Sequence, residues 1–90
     1  MKTFKDLKPG DKIFYLRKDG YFLILEITDI KYGEPYSDNS DYALFIGDPI
    51  IGDYKQVGTF KLDRSKNENG LFADKDLFIE EIRYLLNEDI

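Results

Sequence analysis

The apolar positions of the chain follow two periodicities. Up to residue 72 they come in short runs suited to strands, and from residue 76 they recur at helical spacing. Ile13, Phe14, Tyr15 and Leu16 form one run, and residues 21–25 form another with no polar interruption. A strand with one wet face alternates apolar and polar side chains, so this first hairpin requires cover on both faces. One face can line a barrel interior and the other can take a helix. A dimer interface is the other way to cover it.

The elements follow from the same pattern. Residues 3–7 suit a single helical turn, with Thr3 and Asp6 spaced as in a capping box. Lys8-Pro9-Gly10-Asp11 suits a type II turn, with proline second and glycine third. A strand over 12–16 leads into Arg17-Lys18-Asp19-Gly20, a hairpin signal whose Asp-Gly tolerates positive φ. The next strand spans 21–32. Leu23, Leu25 and Ile27 lie on one face, while Ile30 and Tyr32 have the opposite parity. A bulge near Thr28-Asp29 is expected to turn both sets inward.

Residues 33–41 are a polar loop, 42–46 a third strand, 47–53 a turn-rich connection and 54–62 a fourth strand. Gly58 marks a bulge or a barrel corner in that fourth strand. Residues 67–70 end in Asn-Gly, a turn, and Leu71-Phe72 add a short fifth strand. A helix is predicted over about 75–87. Asp74 is its N-cap, and Ala73 and Phe78 are placed as a hydrophobic staple. Leu77, Phe78, Ile82, Leu85 and Leu86 give it an apolar stripe. A helix of about 12 residues is marginal alone, so it must dock. The prediction is a single mainly β domain over residues 1–90, a small five-stranded barrel with one C-terminal helix packed on it.

Composition narrows the function. The chain has no cysteine and no histidine, which removes disulfides, the usual zinc sites and Ser-His or Cys-His catalysis. The lack of cysteine fits a cytoplasmic setting. Lys2, Lys5 and Lys8 are followed by no apolar run, so no secretory leader is expected, and no stretch is long enough to span a membrane. A net charge of −5 disfavours nucleic acid as a partner. The charge is uneven: residues 1–18 hold six basic side chains against two acids, and residues 67–90 hold seven acids against Lys75 and Arg83. Either the two ends attract each other across one domain, or the basic end faces a phosphate-bearing partner.

The segments "FKDLKPGDKIFYL" and "LFADKDLFIEEIRYLL", with the Asp-Gly hairpin and long second strand between them, resemble a broad set of small phage and bacterial proteins. In that set an SH3-like barrel passes from its last strand into a C-terminal helix through a phrase such as F-T-x-E-E-A. Here Phe72-Ala73-Asp74-Lys75-Asp76 corresponds to it, with Asp74 in the capping place. The resemblance covers residues 4–30 and 71–86. It implies an SH3-like fold and a phage or mobile-element setting, with the host cytoplasm as location, and it implies no activity.

Several candidate sites remain. Tyr32, Tyr36, Tyr42 and Tyr54 cluster in the middle of the sequence, where a barrel's loops frame a groove. Tyrosine is large, rigid and amphipathic, suited to recognition, although the same rings can pack over barrel ends. Lys12, Arg17 and Lys18 surround the first hairpin and are candidates for phosphate contact, with Tyr15 and Tyr21 beside them. Glu34, Asp38, Asp41, Asp48 and Asp53 lack the spacing of a calcium loop. The glycines of "IGDPIIGD" precede no helix and no Lys-Ser, so they are no phosphate cradle. Glu26 interrupts an apolar strand, yet a lone carboxylate makes no catalytic constellation. The expectation is a non-enzymatic binding protein without a cofactor, engaging a host protein or its own copies. A sequestering protein for a small nucleotide is the alternative, and a nucleic-acid-binding barrel a further one.

Overall fold

A computed structural model describes residues 1–32, 41–52, 56–66 and 70–88. A 3-10 turn, Phe4–Asp6, precedes five strands: β1 Lys12–Leu16, β2 Phe22–Tyr32, β3 Tyr42–Ile51, β4 Gln56–Lys61 and β5 Leu71–Phe72. One helix follows, α1 Lys75–Glu88. The strands form one antiparallel sheet in the order β4-β3-β2-β1-β5. Among the described residues this sheet is open, with β4 and β5 at its two edges.

The connections follow local chemistry. Asp6 accepts the Thr3 N–H at 2.9 Å, the return half of a capping box. Gly10 has φ +99, and the Asp11 N–H donates to the Lys8 carbonyl at 2.9 Å, as a type II turn requires. The β1–β2 connection keeps Asp19 at negative φ and places only Gly20 at positive φ. Its Arg17 N–H donates to the Tyr21 carbonyl at 2.8 Å, so the loop is a type I turn closed by a glycine bulge rather than a two-residue turn.

β2 is shared between two halves of the sheet. Its first residues pair with β1 and with the last part of β3, while Asp29 to Tyr32 pair with the first part of β3. β3 in turn pairs with β4 only through Tyr42 to Ile46. The break falls where it was expected: the β2–β3 register shifts between Ile27 and Asp29. Gly47 lies opposite Ile27 at this bend, and a Cβ on it would stand 2.5 Å from the Glu26 carbonyl oxygen. Only glycine permits that approach of two strands. The bend turns Ile30 onto the core, but Tyr32 stays 59% exposed, so the inward expectation for Tyr32 is corrected. It stands at the far end of β2, beyond the core.

β3 is longer than predicted. The connection expected over 47–53 is strand as far as Ile51. Gly47 serves the bend, and Pro49 faces Leu25 across the ladder. The hydrogen bonds from Arg17 to Tyr21 and from Ile27 to Asp11 fix the alternation of β2, so the amide of Leu25 points to β1. Pro49 therefore turns its missing donor away from β2, where an edge strand tolerates proline. β4 begins at Gln56, and its ladder skips Val57 before Gly58 pairs with Phe45, a bulge beside Gly58. Most of the polar loop over 33–41 and of the turn over 67–70 lies outside the described residues.

Both faces of the β1–β2 hairpin are occupied, to different extents. Ile13 and Ile27 join Phe4, Leu7 and Phe45 in the first core, where the Phe4 and Phe45 rings lie 5.7 Å apart. Phe14 and Leu16 join Phe72 and Phe78 in a second core beneath α1. β5 contributes to both, Leu71 to the first and Phe72 to the second. Asp74 starts the helix as predicted: one carboxylate oxygen accepts the Leu77 N–H at 3.1 Å and the other accepts the Lys2 N–H at 3.1 Å. The proposed staple partners Ala73 and Phe78 fall in different cores.

Candidate functional site

The sequence-predicted site residues that are described fall into separate places. Arg17 and Lys18 are exposed in the β1–β2 hairpin. Tyr32 and the partly buried Tyr42 lie at the other end of the β2–β3 ribbon. Ten residue steps of β2 separate the two ends, a path of about 33 Å at strand rise. Lys12 is exposed midway, opposite Glu26. Tyr36 and Tyr54 lie outside the described residues, as do Glu34, Asp38 and Asp53. Arg17 is engaged locally, 3.0 Å from Asp19 and over the Tyr21 ring at 5.4 Å.

The complementary chain ends meet through Asp74 and the Lys2 backbone, whereas the Lys2 ammonium pairs locally with Asp11 at 3.2 Å. Two carboxyls at this end are held below their ordinary value of 3.8. For Asp6 the main cause is the Thr3 N–H, which stabilises the charged form. Partial burial pushes Asp11 up, but the Lys8 N–H and the Lys2 ammonium outweigh it.

A different surface stands out on the helix side of the sheet. Residues directly opposite on neighbouring strands share a face. The pairings therefore draw one apolar row, Phe72, Phe14, Ile24 and Ile51, across β5, β1, β2 and β3. Phe72 and Phe14 lie under α1 and are 1% and 7% exposed, Ile24 is half-buried, and Ile51 is 43% exposed. Phe22, on the same face as Ile24, is 38% exposed, although its ring meets Phe78 edge-on at 6.0 Å. The helix thus covers β1 and β5 and leaves the β2–β3 part of the face as a ledge with α1 as its wall. Ile50, the extra residue where the register shifts, adds exposed apolar surface beside it.

The ledge ends in charge. The next row along the same face is Lys12, Glu26 and Asp48, all exposed. Two carboxylates stand directly opposite each other on adjacent strands, an unfavourable pair in isolation. Among the described residues neither takes part in a salt bridge or hydrogen bond. Glu26 is thus an outward polar residue. The sequence held the signal for this face in the unbroken run 21–25, but the helix footprint that decides which part stays bare depends on tertiary packing.

A shallow groove of about 370 Å³ opens on the other side of α1, lined by Lys66, Phe72, Leu77, Glu80, Glu81 and Tyr84. Its cation is already internal: Lys66 lies 3.5 Å from Glu81 and 5.6 Å from the centre of the Phe72 ring. Among the described residues no three His, Cys, Asp or Glu side chains converge on a possible metal position. No described helix is long and apolar enough to cross a membrane. Compared with family models, with curated proteins and with solved structures, the chain gives no match.

Proposed function

We propose that the chain is a non-enzymatic binding protein on an SH3-like barrel, engaging another protein surface through the ledge beside α1. The observation that carries this reading is the exposure gradient along Phe72, Phe14, Ile24 and Ile51, which leaves Phe22, Ile50 and Ile51 partly exposed beside a covered strip. The barrel reading draws support from the strand order and from a β2 shared between two half-sheets. Past β4 the chain also returns toward β5: Arg64 accepts the Phe4 N–H, Ser65 accepts the Ala73 N–H, and Lys66 bridges to Phe72. Arg17 and Lys18 lie at the opposite end of β2 from Tyr32 and Tyr42, so these described candidates do not share one surface.

A small phage-type protein of this kind acts on a host protein in the host cytoplasm or on its own copies. The test compares capture from nuclease-treated bacterial lysate by the parent chain and by the Phe22→Ser/Ile51→Ser double variant. A protein held by the parent and lost with the variant is the expected result. Identical capture by both, or no capture by either together with a parent chain that sediments as a monomer, contradicts the reading.

A further inference from the structure

We infer that the ledge takes an extended segment of another polypeptide, apolar at two alternate positions and carrying lysine or arginine two positions further along. The inference rests on the binding role proposed above and specifies its partner. Side chains on one face of a strand repeat every second residue, at about 6.6 Å. Along β2 this face presents Phe22, then Ile24 beside Ile51, then Glu26 beside Asp48. A segment lying along β2 meets apolar, apolar and acidic positions at the same spacing. Its basic side chain stands between two carboxylates that now repel each other, and Lys12 offsets only one of them from the β1 side. The bound cation relieves that repulsion, so charge selects the end of the segment while apolar burial supplies most of the attraction.

Other geometries fit less well. Among the described residues nothing pairs with β3 on the side Pro49 turns its donorless nitrogen to, which weakens strand addition there and favours docking on the face. A second copy fits poorly. The helix stands about 10 Å above the sheet, so two flat ledges cannot meet. A two-fold axis along the strands would lay each helix on the other's ledge, but it brings both Glu26–Asp48 pairs to the same end. The chain's net charge of −5 adds to that repulsion.

The test is selection of a random displayed-peptide library on the immobilised chain, on Glu26→Gln/Asp48→Asn and on Ile51→Ser, with sedimentation of each protein alone. The parent is expected to enrich alternating apolar peptides with lysine or arginine at one end. The carboxylate variant should keep the apolar preference and lose the basic one, with the best parental peptide binding roughly two- to fivefold more weakly. Ile51→Ser, at a half-exposed position, should lose both preferences while keeping the parental melting temperature. Enrichment of apolar peptides with no basic bias, or a bias that survives in the carboxylate variant, overturns the inference and leaves the binding role standing. A dimer that Ile51→Ser dissociates makes the second copy the occupant and also overturns it. A monomer that enriches nothing defeats both readings.

Discussion

The Phe78 ring stacks on Phe14 at a centroid separation of 5.1 Å and an interplanar angle of 27°. This contact joins the helix to the central strand of the near half-sheet, and Phe72 packs against the same ring at 5.9 Å. Phe78 is 4% exposed, so its truncation leaves a cavity and bares Phe14. Phe78→Ala is expected to cost about 3 kcal/mol or more in urea unfolding. The helical signal in circular dichroism should fall with it, because a helix of this length does not persist undocked. A loss below about 1 kcal/mol would mean that the helix contributes little to covering the hairpin.

Asp74 ties two parts of the chain with one side chain, capping α1 at Leu77 and accepting the Lys2 N–H. Asp74→Ala should lower stability by about 1–2 kcal/mol, toward the upper end for a cap because two donors lose their acceptor. Asp74→Asn retains an acceptor and should recover most of that loss. Thermal melts of the two variants check the order.

Gly47 has no space for a side chain against the Glu26 carbonyl. Gly47→Ala should cost about 1–3 kcal/mol and shift amide resonances on both sides of the β2 bend. A neutral alanine at this position would contradict the close approach of β3 to the Glu26 carbonyl at the β2 bend.

Acid should weaken the chain's N-terminal anchor. The folded pKa values of Asp6 and Asp11 are depressed, so the stability they confer is fully present above their unfolded value of 3.8. It is lost as pH falls from there through the folded values. The melting temperature of Asp11→Asn should therefore lie below that of the parent near neutral pH, and the gap should close on acidification below about 3.8. A gap that widens in acid would reverse the sign of the argument.

Much of the architecture was legible because it depends on local rules. β1 and β5 lie at their predicted residues, the helix starts at its Asp cap, and the parity switch in β2 marked the bulge by Thr28. The two apolar faces of the first hairpin foretold a docked helix. The sequence pattern ends the third strand at Ile46 because glycine and proline read as turn residues, whereas Gly47 answers a close strand contact and Pro49 an outward-facing edge position. Those causes lie in β2, about twenty residues away, and no local pattern around residue 47 records them. The candidate face was hidden for a similar reason. Phe22 belongs to an unbroken apolar run and Ile51 to a segment that reads as a connection, and neither pattern records that the width of the helix leaves both exposed on one face.

The footprint of α1 is best tested by solvent accessibility measured directly. In a nuclear magnetic resonance experiment with a soluble paramagnetic agent, side-chain signals of Phe22 and Ile51 should be strongly attenuated while those of Phe14, Leu16 and Phe72 are protected. Equal protection of all five, or attenuation of Phe14 and Phe72, would contradict a helix that shields β1 and β5 and leaves the β2–β3 ledge open.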